Sequence, residues 1–184
     1  MKKFVAMLAV GVIVLSCALC SAAERTGILI IAPTEFKSQD FMKIATETFG
    51  KNYTLSQNTQ DAWATYCWDK GLTDSDVLPT KATLVDFAST TTYDKIIFII
   101  FKDVDKTEED LGYSRGLFGA VSHDIRYRTA IGARIVIMTH DGETMKVFEE
   151  THTDASGSSD LRASRGAFKG LCKQISDRLS GKAK

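Results

Sequence analysis

The sequence predicts an α/β fold, a mixed sheet with a central buried strand, a long antiparallel hairpin and helices packed on it. Three observations predict it. Residues 95–101, Lys-Ile-Ile-Phe-Ile-Ile-Phe, form a continuous β-branched and aromatic run, as in a strand covered on both faces. Residues 125–137 alternate with period two, as in a long strand with one face in a core. Between and after these runs lie segments whose apolar residues recur at helical spacing.

The elements follow in order. Gly27-Ile28-Leu29-Ile30-Ile31-Ala32-Pro33 is a short buried strand ended by proline. Ser38 is placed to cap a helix reaching Phe49, with Phe41, Ile44, Ala45 and Thr48 on one face and Gly50 as its stop. A brief extended piece covers residues 53–56. Asn58 or Thr59 then caps a second helix, whose stripe is Ala62, Trp63, Tyr66 and Cys67, ended by Gly71. Thr80 caps a third helix carrying Leu84, Val85 and Ala88. After the central strand, residues 103–122 read as an excursion, acidic at first and then glycine-rich. In the alternating strand Ile125, Tyr127, Thr129, Ile131, Ala133, Ile135 and Ile137 point one way, and Arg126, Arg128 and Arg134 the other. Asp141-Gly142 is a hairpin turn, and residues 143–153 return antiparallel with Met145 and Val147 inward. A closing amphipathic helix carries Leu161, Ser164, Phe168, Leu171, Cys172, Ile175 and Leu179.

Composition narrows the class. The chain has 184 residues, 44% hydrophobic and 25% charged, which suits a single globular domain with a real core. Its 23 basic and 23 acidic side chains balance, so no nucleic-acid partner is expected. Lys2 and Lys3 precede an apolar stretch, and Ser21 and Ala23 stand at −3 and −1 of a cut before Glu24. Residues 1–23 are therefore expected to be a signal peptide, and residues 24–184 one exported α/β domain in the periplasm or outside the cell. Val14-Leu15-Ser16-Cys17 offers a second reading, a lipobox in which Cys17 carries lipid and ties the domain to a membrane. Cys67 and Cys172 remain after processing, and an oxidising compartment allows a disulfide between them.

The order of elements resembles an exported bacterial envelope domain. It is similar in layout to the curli-secretion lipoprotein, the lipoprotein activators of cell-wall synthases and the amino-terminal domain of TolB. The residues that carry the resemblance are 27–33, the hairpin at Asp141-Gly142-Glu143, and the helix of residues 159–179. The helical segment of residues 61–90 departs from the simplest form of that layout. The resemblance implies an envelope accessory or interaction module rather than a catalyst.

The candidate chemistry is sparse. Gly112-Tyr113-Ser114-Arg115-Gly116 matches G-x-S-x-G, with His123, His140 and His152 downstream, so a small secreted serine hydrolase using Ser114 is the rival reading. That motif needs a strand before it and a helix after it, and neither is expected here. A third class, a small-ligand binder, has no recognisable pocket residues in the sequence. His140 and His152 lack metal-ligand spacing, and the acids at 103, 105, 108, 109 and 110 lack the mid-loop glycine of a calcium loop. Pro33-Thr34-Glu35 stands where a phosphate loop would follow the first strand. No cofactor or metal is expected. Trp63 and Tyr66 read as core, and Trp68, off their stripe, reads as a candidate exposed contact. Arg126, Arg128 and Arg134, extended by Arg115, form a candidate basic docking strip for an envelope protein or an anionic envelope polymer. The competing reading pairs these arginines with Glu149, Glu150 or other acids across the sheet.

Overall fold

The computed structural model describes residues 25–72, 78–115 and 121–182. Residues 1–23, expected to be a signal peptide, with Cys17 among them, and Gly116 lie outside these. Four strands form one mixed sheet in the order β1 (Thr26–Ile31), β2 (Lys95–Arg115), β3 (Val121–Thr139) and β4 (Thr144–Ser156). β1 and β2 run parallel, Thr26 beside Lys95 through Ile31 beside Ile100, and the remaining pairs are antiparallel. The parallel pair needs a crossover, supplied by α1 (Gln39–Phe49), α2 (Gln57–Asp69) and α3 (Lys81–Thr90); α4 (Asp160–Leu179) closes the chain.

Each run of sequence finds its face. Ile97, Ile99 and Phe101 join Ile28, Ile30, Ile131, Ala133, Ile135 and Phe148 under α1 and α4. Phe36, in a 3-10 turn at Thr34–Lys37, sits among Phe41, Phe101 and Phe168 with centroids 5.0, 5.3 and 6.1 Å away. Ile96, Phe98 and Ile100 point the opposite way and meet Leu29, Trp63, Leu84, Phe87, Val136 and Met138 beneath α2 and α3. Phe87 is the hub there, edge-on to Trp63 at 5.0 Å and to Tyr66 at 5.4 Å. Such ring pairs add about 0.5–1.5 kcal/mol each beyond the area they bury. The central strand is apolar on both sides because both sides are covered.

Three of the four described helices start with a side-chain cap bond, and of these caps Thr80 was expected. Thr80 Oγ1 accepts from the Thr83 N–H at 3.2 Å, and Ser159 Oγ from Arg162 N–H at 3.2 Å. For α2 the cap is Ser56, which accepts from Thr59 N–H at 3.2 Å, rather than Asn58 or Thr59. Ser38 sits at the start of α1 without a side-chain cap bond.

Two expectations are corrected. Residues 103–115 are strand, not an excursion, because β3 is long and its inner hydrogen-bonding edge needs a partner of equal length. Past the end of β4, where Tyr127 faces Ser156, residues 109–115 and 121–126 pair, among the described residues, only with each other. They make a two-stranded arm about 20 Å long at the usual rise per residue. The second correction concerns β4: Met145 and Val147 are 50% and 53% exposed, and Phe148 is the residue that turns inward, opposite Ile135.

Candidate functional site

The arm is the feature that leaves the globular body, and its two faces differ. A bulge between Asp110 and Tyr113 sets two residues, Leu111 and Gly112, against Asp124 alone. Gly112 takes φ +80°, a backbone conformation that a side chain resists, and donates its N–H to Asp110 Oδ1 at 2.7 Å. The same carboxylate oxygen lies 2.8 Å from His123 Nε2, and the His123 ring stacks on Tyr113 at 4.7 Å. The Gly112 N–H and then the His123 ring hold the Asp110 carboxyl below its ordinary value of 3.8. This face continues through Val121, Ile125 and Tyr127 toward the core under α4. Tyr113 and Val121 are 76% and 62% exposed at its outer end.

On the other face Ser114 Oγ shares a hydrogen bond with Ser122 Oγ at 2.9 Å, and Ser122 donates to Asp124 at 3.1 Å. This placement undoes the hydrolase reading. Ser114 lies inside an antiparallel ladder opposite Ser122, not on a strand-to-helix turn, and His123 projects from the opposite face toward Asp110. His140 lies beyond β3 at the turn, where its N–H donates to the Asp94 carbonyl at 3.0 Å. His152 stands in β4 opposite Ile131. Among the described residues no three His, Cys, Asp or Glu side chains gather as a metal site. The acids of residues 103–110 lie along an extended strand rather than around a loop.

The four arginines are all exposed, but they do not form one strip. Arg126, Arg128 and Arg134 share a face by alternation, whereas Arg115 pairs with Val121 and so follows the opposite face. Arg126 lies 3.8 Å from Glu109, its cross-strand neighbour. Arg134 reaches Glu149 at 3.1 Å, and Lys102 reaches the same carboxylate at 3.1 Å. These two contacts, Lys102 first, hold the Glu149 carboxyl below its ordinary value. Arg128 lies between Thr107 and Ala155.

Cys67 and Cys172 are free thiols. The bridge that the sequence allowed is not formed here, since Cys67 packs against the core under α2 and α3 and Cys172 belongs to the core under α4. The sheet stands between them. Burial pushes the Cys172 thiol up to about 12 and raises that of Cys67. Trp68 is 75% exposed, off the Trp63 and Tyr66 stripe, as its position on the helix foretold.

Sequence reasoning named Asp110, Tyr113 and His123 only within other motifs and missed that they meet on one face of the arm. The alternation read at residues 125–137 stops short of them, and the acidic residues before Gly112 carry no strand signal of their own.

No helix among the described residues is long and apolar enough to cross a membrane. No protein-family model matches the sequence, and no curated protein does. Among solved structures the chain is similar to a minor lipoprotein from Acinetobacter baumannii, at 9% identity and TM-score 0.42, over 86% of this chain and 93% of that one. It is similar to lipoprotein GNA1162 from Neisseria meningitidis at 12% identity and TM-score 0.41, over 86% of this chain and 99% of that one. A third likeness is to the rare lipoprotein B from Shewanella oneidensis, at 12% identity and TM-score 0.34, over 86% and 92%. The likeness is one of chain course, and no residue role is carried over from it.

Proposed function

We propose that the chain is an exported accessory domain of the bacterial cell envelope that works by protein contact, with the arm of β2 and β3 as its contact element. The observation that carries this reading is the exposed apolar end of the arm, Tyr113, Val121 and Leu111, the last 49% exposed. A two-stranded ribbon whose outer end, among the described residues, stays exposed gains nothing by showing large apolar groups to water. Tyrosine in such a place is a common anchor of protein interfaces. The Asp110 contacts to Gly112 and His123 stiffen the ribbon at its bulge, which reduces what ordering would cost on binding. The basic strip is not the contact element in this reading, because Arg126 and Arg134 already face Glu109 and Glu149.

Export rests on the pattern of residues 1–23. Cleavage before Glu24 leaves the domain free, and lipid on Cys17 anchors it; the mass of the chain recovered from the envelope distinguishes them. The contact reading is tested with a photo-crosslinking residue placed at Tyr113, at Val121 and, as control, at exposed Lys173 on α4. Discrete adducts at both arm positions and none at Lys173 are expected. An arm that gives no adduct, or the same adducts as Lys173, refutes the proposal.

A further inference from the structure

The sheet is covered unequally. On one side α1 and α4 span it, and Phe148 of β4 belongs to the core beneath them. On the other side α2 and α3 cover β1, β2 and part of β3, and no β4 residue belongs to that core. Between the start of α3 and the uncovered part of β3 and β4 lies a groove of about 310 Å³. Val136 and Val147, partners across the strands, form its floor, with Leu78 and Leu84 beside them.

Its charge is one-sided. Among the described residues, every charged side chain lining the groove is a cation: Lys81, Lys102 and Arg134. Lys102 sits at the bulge between Phe101 and Asp103, without a ladder partner, and its ammonium meets Glu149 at 3.1 Å at the edge of the groove. The first turn of α3 adds its positive end and carries no acidic residue. Glu149 is one carboxylate shared by Lys102 and Arg134, and it does not line the groove. An apolar trough closed by cations fits a ligand with the opposite pattern.

We propose that this groove binds a single-chain anionic amphiphile of the fatty-acid class. The alkyl chain lies over Val136, Val147 and Leu84, and the carboxylate takes the place of Glu149 beside Lys102 and Arg134. The volume stands at the low end of small-molecule pockets, which suits one alkyl chain and not the two of a phospholipid. The binding is independent of the arm.

The test is calorimetric titration of the purified exported protein with dodecanoate, below its micelle concentration, and with dodecyltrimethylammonium. Dodecanoate is expected to bind at least about tenfold more tightly than the ammonium. Arg134→Gln should weaken dodecanoate binding, and Glu149→Gln should tighten it several-fold, since the competing carboxylate is gone. A purely apolar groove would leave both variants unchanged. Val147→Trp fills the floor and should abolish binding; if it also lowers the melting midpoint, Leu78→Trp blocks the groove from the wall without touching the sheet. No dodecanoate binding, equal binding of the ammonium, or binding that survives Leu78→Trp overturns the proposal. Self-association through this face, seen by sedimentation without ligand, overturns it too.

Discussion

Replacing Gly142 by alanine attacks the turn that joins β3 to β4, and the structure gives two separate costs. Gly142 has φ +85°, where an added Cβ meets its own backbone at roughly 1–2 kcal/mol. That Cβ would also stand 2.5 Å from Val85 Cγ1 on α3. A valine on a helix has little choice of rotamer, so the helix or the turn must move, at about 1–3 kcal/mol. Against these stands a gain of about 0.4–1 kcal/mol from a stiffer unfolded chain. The balance is a loss of about 2–3 kcal/mol, read as a lower urea midpoint at constant slope. A double-mutant cycle with Val85→Ala separates the causes. Removing the valine methyls should return the collision part, giving a coupling of about 1 kcal/mol or more, while the backbone part persists. A loss under about 0.5 kcal/mol for Gly142→Ala, or no coupling to Val85, would show that the turn does not press on α3 as the geometry requires.

Other consequences follow from the same packing. Gly170→Ala puts a methyl far inside contact distance of the His152 ring; helix propensity favours alanine by about 1 kcal/mol, so the net loss is small in the wild type and becomes a gain with His152→Ala. In the native protein Cys172 should resist thiol reagents, because it is buried and its thiol is pushed up to about 12, and both thiols should titrate after unreduced denaturation. One thiol or none would restore the disulfide. Asp110 has a depressed folded value, so its contribution is present above the unfolded carboxylate range and lost as pH falls through the folded value. The Gly112 amide resonance should therefore shift with a midpoint below 3.8, and Asp110→Asn should remove that shift. A midpoint at or above 3.8 would mean that the bulge contact does not form in solution.

Much of the fold was legible where burial alone dictates pattern. Residues 95–101 read as a two-sided strand because both helix layers need apolar partners there. The outer half of β2, which runs into the arm, was hidden because Asp103, Asp105, Glu108, Glu109 and Asp110 are poor strand formers. Their strand state comes from the ladder with β3, a tertiary demand that no local window contains. The candidate sites were less legible still. Ser114 and His123 are nine residues apart, and only the register shows that they leave opposite faces of one ribbon. Cys67 and Cys172 each lie on a helical stripe, and stripes alone cannot tell which side of a sheet each helix takes.

The strand β4 explains both the misreading of its faces and the groove. Its pairing with β3 sets Ile135 opposite Phe148, Ile131 opposite His152 and Thr129 opposite Asp154. The inward residues of β3 therefore place mostly polar residues of β4 under α4, against the usual rule that apolar groups turn in. The helix accommodates this with Gly166 and Gly170, where Asp154 and His152 occupy the space that side chains would fill. Arg178 answers the same demand by reaching Glu150 at 2.5 Å and lying over Phe148 at 4.7 Å. What the helix side gains in polar contacts, the other side shows in apolar surface, since Val147 must then face outward beside Val136. A strand that buried Val147 under α4 would leave no trough, and glycine at 166 and 170 would then be a cost with no return. The two glycines and the exposed valine are thus one choice of register seen from the two faces of the sheet.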